Sequence, residues 1–254
     1  TDYTFPKPSH TSTEVILMTA VTAKGETIIR NAACEPEIDD LIELLNKMGG
    51  KIKRDENNPA LIYINGVKNL HSASHQIISD RNEAVTFACG ALSTRGSVSI
   101  LRINPKTIYT FLKTIEKMGA KTNWGKDEVF VSWEKPLTAI SIETEPEPGF
   151  MTDWQAVFSL VLTQSVGVSS IIERVFPSRF QHIKFLNEMG AKTKFFQPKV
   201  SDPATYYHFN PESDKPEYFH GVKIYGPSKL HATNLTVADL RAGATSTLAA
   251  LTAE

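Results

Sequence analysis

The sequence predicts a mixed α/β (α+β) fold in which one small module recurs about every 70 residues. Three observations predict it. The strings MGGKI at residues 48–52, MGAKT at 118–122 and MGAKT at 189–193 stand 70 and 71 residues apart. A second marker, a glycine ahead of a β-branched run, stands at Gly25, Gly96 and Gly167, 71 residues apart each time. Between the markers, apolar residues run first at helical and then at strand spacing. Two independent markers with one period define a repeat, and the period exceeds the roughly 20–50 residues of common solenoids. Each copy is therefore a supersecondary assembly.

The first copy opens with a very apolar helix over residues 13–23. Ser12 and Thr13 supply hydroxyls suited to its N-cap. Apolar residues on most faces predict a helix buried on all sides, and Gly25 ends it. Residues 27–30 form a short β-branched strand. Glu35-Pro36-Glu37 starts a second helix, with proline in the first turn and acids near the positive end. Its Ile38, Leu41, Leu45 and Met48 share one face, and Gly49 stops it. Residues 51–53 and 61–64 read as two strands joined by a turn at Asn57-Asn58-Pro59.

The second copy has a buried helix over 80–94, a strand over 98–103 and a helix from Asn104-Pro105 carrying Ile108, Phe111, Ile115 and Met118. The third has a helix over 152–166, a strand over 170–174 and a helix over 178–189. A fourth buried helix begins near Asp239. Residues 247–254 resemble the end of the first helix, so the chain is expected to be truncated at both ends of the repeat. Residues 195–219 depart from the pattern, being Pro-rich and aromatic with Tyr206, Tyr207 and Phe209. A surface hairpin insertion explains them, with a substrate lid or a partner contact as the alternatives.

Composition narrows the function. The 254 residues hold 27 basic and 28 acidic side chains, for a net charge of −1. There is no basic excess to neutralise a nucleic-acid backbone. No apolar run approaches the roughly 18 residues of a membrane helix. Cys34 and Cys89 make no disulfide framework. His71 and His75 lie four apart without a carboxylate to complete a metal set, which predicts surface histidines. His208, His220 and His231 lie in the departing segment or beyond it. Phosphate-loop, dinucleotide-loop and nucleophile-elbow motifs are absent.

Five strings resemble enolpyruvyl transferases: NAACEPEI (31–38), SDRNEAVTF (79–87), PGFMTDWQAVF (148–158), VFPSRFQH (175–182) and ADLRA (238–242). The resemblance implies an inside-out α/β barrel of β-α-β-α-β-β units in two domains. Residues 1–78 would be the last unit of one domain, and 79–254 most of the other. It implies transfer of enolpyruvyl from phosphoenolpyruvate to the 3-hydroxyl of UDP-N-acetylglucosamine in cytoplasmic peptidoglycan synthesis. No cofactor or metal is implied. Transfer to 3-phosphoshikimate and a noncatalytic nucleotide-sugar-binding module are the alternatives. The family's general acid sits on an upstream loop that neither Cys34 nor Cys89 matches, so residues 1–254 alone are expected to lack turnover.

Apart from Lys7–His10, which stand ahead of the first buried helix, the site residues lie in the same strings. Parallel buried helices would aim several positive ends at one cleft, which suits anionic substrates. Lys7, Pro8, Ser9 and His10 precede the first helix and read as a diphosphate contact or as a plain N-cap with a solvated lysine. Asp153 starts the third buried helix, and the resemblance makes it the base for the sugar hydroxyl. Arg179 and Arg241 match cleft positions that grip phosphate or carboxylate; interdomain salt bridges are the alternative. Asp239 would orient Arg241 or its neighbours, and Val175 matches a backbone contact to the sugar nucleotide. Asp80-Arg81 reads as a hinge or domain-linking ion pair.

Overall fold

The computed structural model describes residues 1–237 and 239–254; Ala238, which opens the ADLRA string, lies outside the described residues. The chain divides into two compact units, Thr1–Ile78 with Pro146–Pro148, and Ser79–Glu145 with Gly149–Glu254.

The first unit runs β1 (Asp2–Thr4), α1 (His10–Ala20), β2 (Glu26–Arg30), α2 (Pro36–Lys47), β3 (Ile52–Arg54) and β4 (Leu61–Asn65). The sheet order is β1-β2-β4-β3. The β1–β2 pair, joined through α1, is parallel; the other pairs are antiparallel. Leu17, Val21, Ile29, Ile38, Ile62 and Ile64 fill its core. Pro36 stands in the first turn of α2, where a missing N–H costs nothing.

The second unit opens with α3 (Arg81–Ser93), β5 (Ser97–Leu101), a 3₁₀ turn (Pro105–Ile108), α4 (Tyr109–Met118), β6 (Lys121–Trp124) and β7 (Glu128–Ser132). It continues with β8 (Ser141–Glu143), α5 (Gln155–Thr163), β9 (Gly167–Ile172), α6 (Gln181–Glu188) and β10 (Lys192–Phe196). Last come α7 (Pro203–Tyr206), β11 (Gly221–Gly226) and α8 (Leu240–Ala250). Its two sheets have the orders β5-β7-β6 and β8-β9-β11-β10. The module order of first, second, fourth, third strand is thus kept, and the β8–β9 pair, joined through α5, is again parallel. The three sheets are separate and open; the described residues close no barrel.

The repeat extends to single hydrogen bonds. The carbonyls of Met48, Met118 and Met189 accept from the N–H groups of His71, Thr138 and His231 at 2.9, 2.9 and 2.8 Å. Gly50, Ala120 and Ala191 donate to Leu45, Ile115 and Leu186. Gly49, Gly119 and Gly190 all take φ near +100° at these helix ends (95°, 103° and 105°), where a Cβ is strained. The MG dipeptide recurs because each module turns the same corner.

The inner helices of the second unit are parallel. Trp154 at the start of α5 donates from Nε1 to Asn82 in the first turn of α3 at 3.0 Å. Arg241 in the first turn of α8 reaches Asp153, just ahead of α5, at 2.6 Å. At the other end, the side chain of Leu248 on α8 packs at Gly90 on α3. Three helix N-termini therefore share one end of this unit. Every residue of α5 is buried.

Several expectations are corrected. Helix α1 starts at His10 and is capped by Ser9, not Ser12 or Thr13. Thr13 instead points inward, donating to the Ser9 carbonyl and accepting from Ala33 N–H. Nor is α1 buried all round: Val15 and Met18 are 49% and 51% exposed. Asp153 does not start α5; it sits in the turn two residues before Gln155. The His75 side chain is buried, not at the surface, and pairs with Asp40 at 3.0 Å. Phe195 and Phe196 belong to β10; residues 197–220 connect the antiparallel strands β10 and β11, and the excursion carries α7. Tyr206 Oη donates to Glu143 at 2.9 Å, and Arg174 donates to the Tyr206 carbonyl at 2.8 and 3.0 Å. Tyr207 and Phe209 are buried against His220.

Candidate functional site

A cluster of three charged side chains lies at the shared end of the inner helices of the second unit. Asp153 Oδ1 accepts from Arg241 Nε at 2.6 Å and lies 2.5 Å from Arg241 Nη2. Arg179 Nη2 approaches the same oxygen at 3.1 Å. One carboxylate oxygen thus carries two guanidinium groups, while Oδ2 accepts from no described residue. The Asp153 side chain keeps 25% of its surface exposed, against 14% for Arg179 and 38% for Arg241.

Arg179 is the most constrained of the three. Its Nη1 donates to Thr152 Oγ1 at 2.9 Å. Its backbone carbonyl accepts from Gln155 Nε2 at 2.7 Å. Its guanidinium carbon lies 4.1 Å from the centre of the Phe176 ring, a cation–π distance. Burial pulls Arg179 below the ordinary arginine value; Asp153 opposes that shift and the Arg241 charge adds to it.

Beneath this cluster lies a carboxylate that the sequence reading did not single out. Glu173 is 1% exposed. It accepts from the hydroxyls of Thr144 (2.9 Å) and Thr152 (2.8 Å) and from the N–H groups of Val175 (2.8 Å) and Phe176 (3.0 Å). Burial pushes its carboxyl above the usual range, against these four donors. The available signal was an acid directly after Ile171-Ile172, where a buried strand end needs its turn satisfied. His182, also buried, meets Ser159 Oγ at 3.0 Å, and burial holds its imidazole down at about 3, hence neutral.

The other expected residues sit as follows. Asp239 caps α8, accepting from Ala242 N–H at 2.9 Å, so it positions the helix and not the Arg241 guanidinium. The Val175 N–H is already spent on Glu173, which leaves its carbonyl for any backbone contact. Asp80 caps α3 by accepting from the N–H groups of Asn82 and Glu83.

In the first unit, Ser9 Oγ donates to Ser12 Oγ at 2.9 Å and accepts from Ser12 N–H at 3.4 Å. Its hydroxyl is thereby engaged in the plain N-cap role. His10 opens α1 with its Nε2 3.9 Å from Glu14. Lys7 and Pro8 precede the cap. Among the described residues, no three His, Cys, Asp or Glu side chains gather as a metal set. No described helix is long and apolar enough to cross a membrane.

The modular sheets and the parallel inner helices define an enolpyruvyl-transferase type of fold. An enolpyruvyl transferase structure, NikO from Streptomyces tendae, superposes with a TM-score of 0.76 at 22% identity, over 96% of this chain and 53% of that one. The sequence profile of the EPSP synthase (3-phosphoshikimate 1-carboxyvinyltransferase) family matches residues 1–254, and the chain belongs to that family. It is 36% identical over 252 residues to the UDP-N-acetylglucosamine 1-carboxyvinyltransferase of Chlamydia trachomatis serovar D, covering 99% of this chain and 55% of the relative. The enzyme of the same name from Pelagibacter ubique is 36% identical over 250 residues, covering 98% and 54%. The chain thus spans about half the length of the curated relatives it matches.

Proposed function

We propose that this chain is part of an enzyme that transfers enolpyruvyl from phosphoenolpyruvate to the 3-hydroxyl of UDP-N-acetylglucosamine, in the cytoplasm, as the first committed step of peptidoglycan synthesis. The observation that carries the reading is the 36% identity to such an enzyme over 252 residues. The two compact units belong, in this reading, to the two domains of the whole enzyme, whose modules close into inside-out α/β barrels.

The sugar O3–H adds across the enol double bond of phosphoenolpyruvate. The C2–O3 bond forms, a proton reaches C3, and a tetrahedral intermediate results. Loss of the C3 proton and cleavage of the C2–O(phosphate) bond then give the enol ether and phosphate. Asp153 takes the hydroxyl proton through Oδ2, the oxygen that the arginines leave open. Arg241, the more exposed arginine, meets the anionic phosphate or carboxylate, while the buried Arg179 holds Asp153 in place. Neither cysteine of the chain suits proton donation to C3. Cys89 is fully buried with its thiol pushed far up, and burial raises Cys34 as well. Val175 and Asp239 are the further substrate contacts proposed in the second unit, and Lys7, Pro8, Ser9 and His10 those proposed in the first.

Thermal unfolding of the 254-residue chain separates the acceptors. UDP-N-acetylglucosamine should raise the midpoint, as a ligand of the folded state must, and 3-phosphoshikimate should not. The reverse pattern overturns the assignment.

A further inference from the structure

We infer that Glu173 is a positioning residue for this site: it sets the Val175–Phe176 backbone and, through Thr152, holds Arg179 on Asp153. The inference rests on the Asp153–Arg179 cluster being the reactive site. Glu173 itself touches neither Asp153 nor Arg241.

Two branches run from its carboxylate to the same guanidinium. The first uses Oε2. Thr152 has a single hydroxyl proton and donates it to Glu173 Oε2 at 2.8 Å. Its oxygen is then left as an acceptor only, and Arg179 Nη1 donates to it at 2.9 Å. The second branch uses Oε1, which accepts from the N–H groups of Val175 and Phe176 and from Thr144 Oγ1. That fixes the turn carrying the Phe176 ring, which lies against the Arg179 guanidinium at 4.1 Å. Thr144 Oγ1 in turn accepts from Arg174 N–H at 2.9 Å, closing the turn from the other side. The four groups donating to Glu173 are all neutral, so this buried acid organises donors instead of forming a direct salt bridge.

Glu173→Gln tests the polarity of the first branch while keeping the shape. The amide oxygen must stay at Oε1, where three donors converge. The amide nitrogen then faces Thr152 as a donor. The Thr152 proton must turn away, and Arg179 Nη1 must share the Thr152 oxygen with the new amide donor, which loosens its hold. Thr152→Val removes that acceptor without touching the Val175 turn, and serves if Glu173→Gln fails to fold.

The first readout needs no activity. In ¹H–¹⁵N spectra of the 254-residue chain, the Arg179 side-chain resonances should move, and their exchange with water should quicken, in both variants. Arg179 signals unchanged from wild type in a folded Glu173→Gln chain overturn the inference. The second readout uses the full-length gene product with phosphoenolpyruvate and UDP-N-acetylglucosamine. A misplaced guanidinium should lower kcat about 10- to 100-fold while KM moves less. The double variant should be no slower than the slower single variant. A lowered melting point with unchanged kcat would mark Glu173 as merely structural and overturn the inference. If the wild-type protein transfers enolpyruvyl to neither acceptor, the functional reading falls, and the Arg179 resonances alone decide the positioning role.

Discussion

Removing the Asp153 carboxylate should destabilise the unit that contains it, by an amount the geometry bounds. Asp153 Oδ1 lies 2.5 and 2.6 Å from Arg241 nitrogens and 3.1 Å from Arg179. In Asp153→Ala, two guanidinium groups face each other without the anion between them. Breaking a fully buried pair costs about 3–5 kcal/mol, and an exposed pair is worth about 0–1 kcal/mol. Side-chain exposures of 14%, 25% and 38% place this cluster between those limits. The expected loss is about 2 kcal/mol, or roughly 4–8 °C in Tm for a unit of this size. Asp153→Asn keeps an acceptor oxygen and should lose about half as much. All three tryptophans, Trp124, Trp133 and Trp154, lie in the second unit. Urea unfolding followed by tryptophan fluorescence therefore reports this unit alone. The Ala effect should shrink in about 1 M salt, which screens the exposed part of the repulsion. A midpoint for Asp153→Ala equal to or above wild type would refute the reasoning, since the arginines would then not be held on Asp153.

Acid should weaken the same unit through His182, whose folded-state value of about 3 lies below its ordinary 6.5. The unfolded chain binds the extra proton between those values, so stability falls as pH drops through that window, by about 2 kcal/mol from pH 7 to 5. Fluorescence-detected unfolding at both pH values checks this, and His182→Gln should flatten the dependence; an equal slope in that variant contradicts it. Phe111→Ala empties a position 0% exposed and packed edge-on against Trp154 and Phe158 at 6.1 Å each. It should cost about 3–5 kcal/mol, read by the same urea midpoint. Tyr206→Phe removes the hydroxyl bond to Glu143 and should speed proteolytic cutting within the β10–β11 connection several-fold, without moving the tryptophan midpoint.

The repeat was legible because it is written in backbone requirements. Gly49, Gly119 and Gly190 mark a corner that needs positive φ, and the outer helices carry clean one-sided patterns such as Ile108, Phe111, Ile115 and Met118, all buried. The start of α1 was ambiguous because Ser9, Thr11, Ser12 and Thr13 all offer hydroxyls to one helix end. Its burial was misjudged because an apolar composition does not say which faces find neighbours: α5 is enclosed on every side, while α1 leaves Val15 and Met18 open.

The site was legible in part. Asp153, Arg179 and Arg241 stand in three separate strings, and the fold brings them onto one oxygen. Asp239 stands at the expected start of a buried helix, where aspartate is a preferred N-cap, but an aspartate beside an arginine reads equally as its partner. Glu173 was hidden for a related reason. Its partners are hydroxyls and backbone groups 21 to 29 residues away or in the next turn, and such pairings leave no charge pattern in sequence.

The most direct test of the central claim is phosphate release by the full-length gene product, wild type against Asp153→Asn, with phosphoenolpyruvate and each acceptor in turn. The account predicts release with UDP-N-acetylglucosamine and none with 3-phosphoshikimate, and a loss of about 10²- to 10⁴-fold in the variant, the usual worth of a general base. Release that depends on 3-phosphoshikimate, or an Asp153→Asn enzyme as fast as wild type, would contradict it.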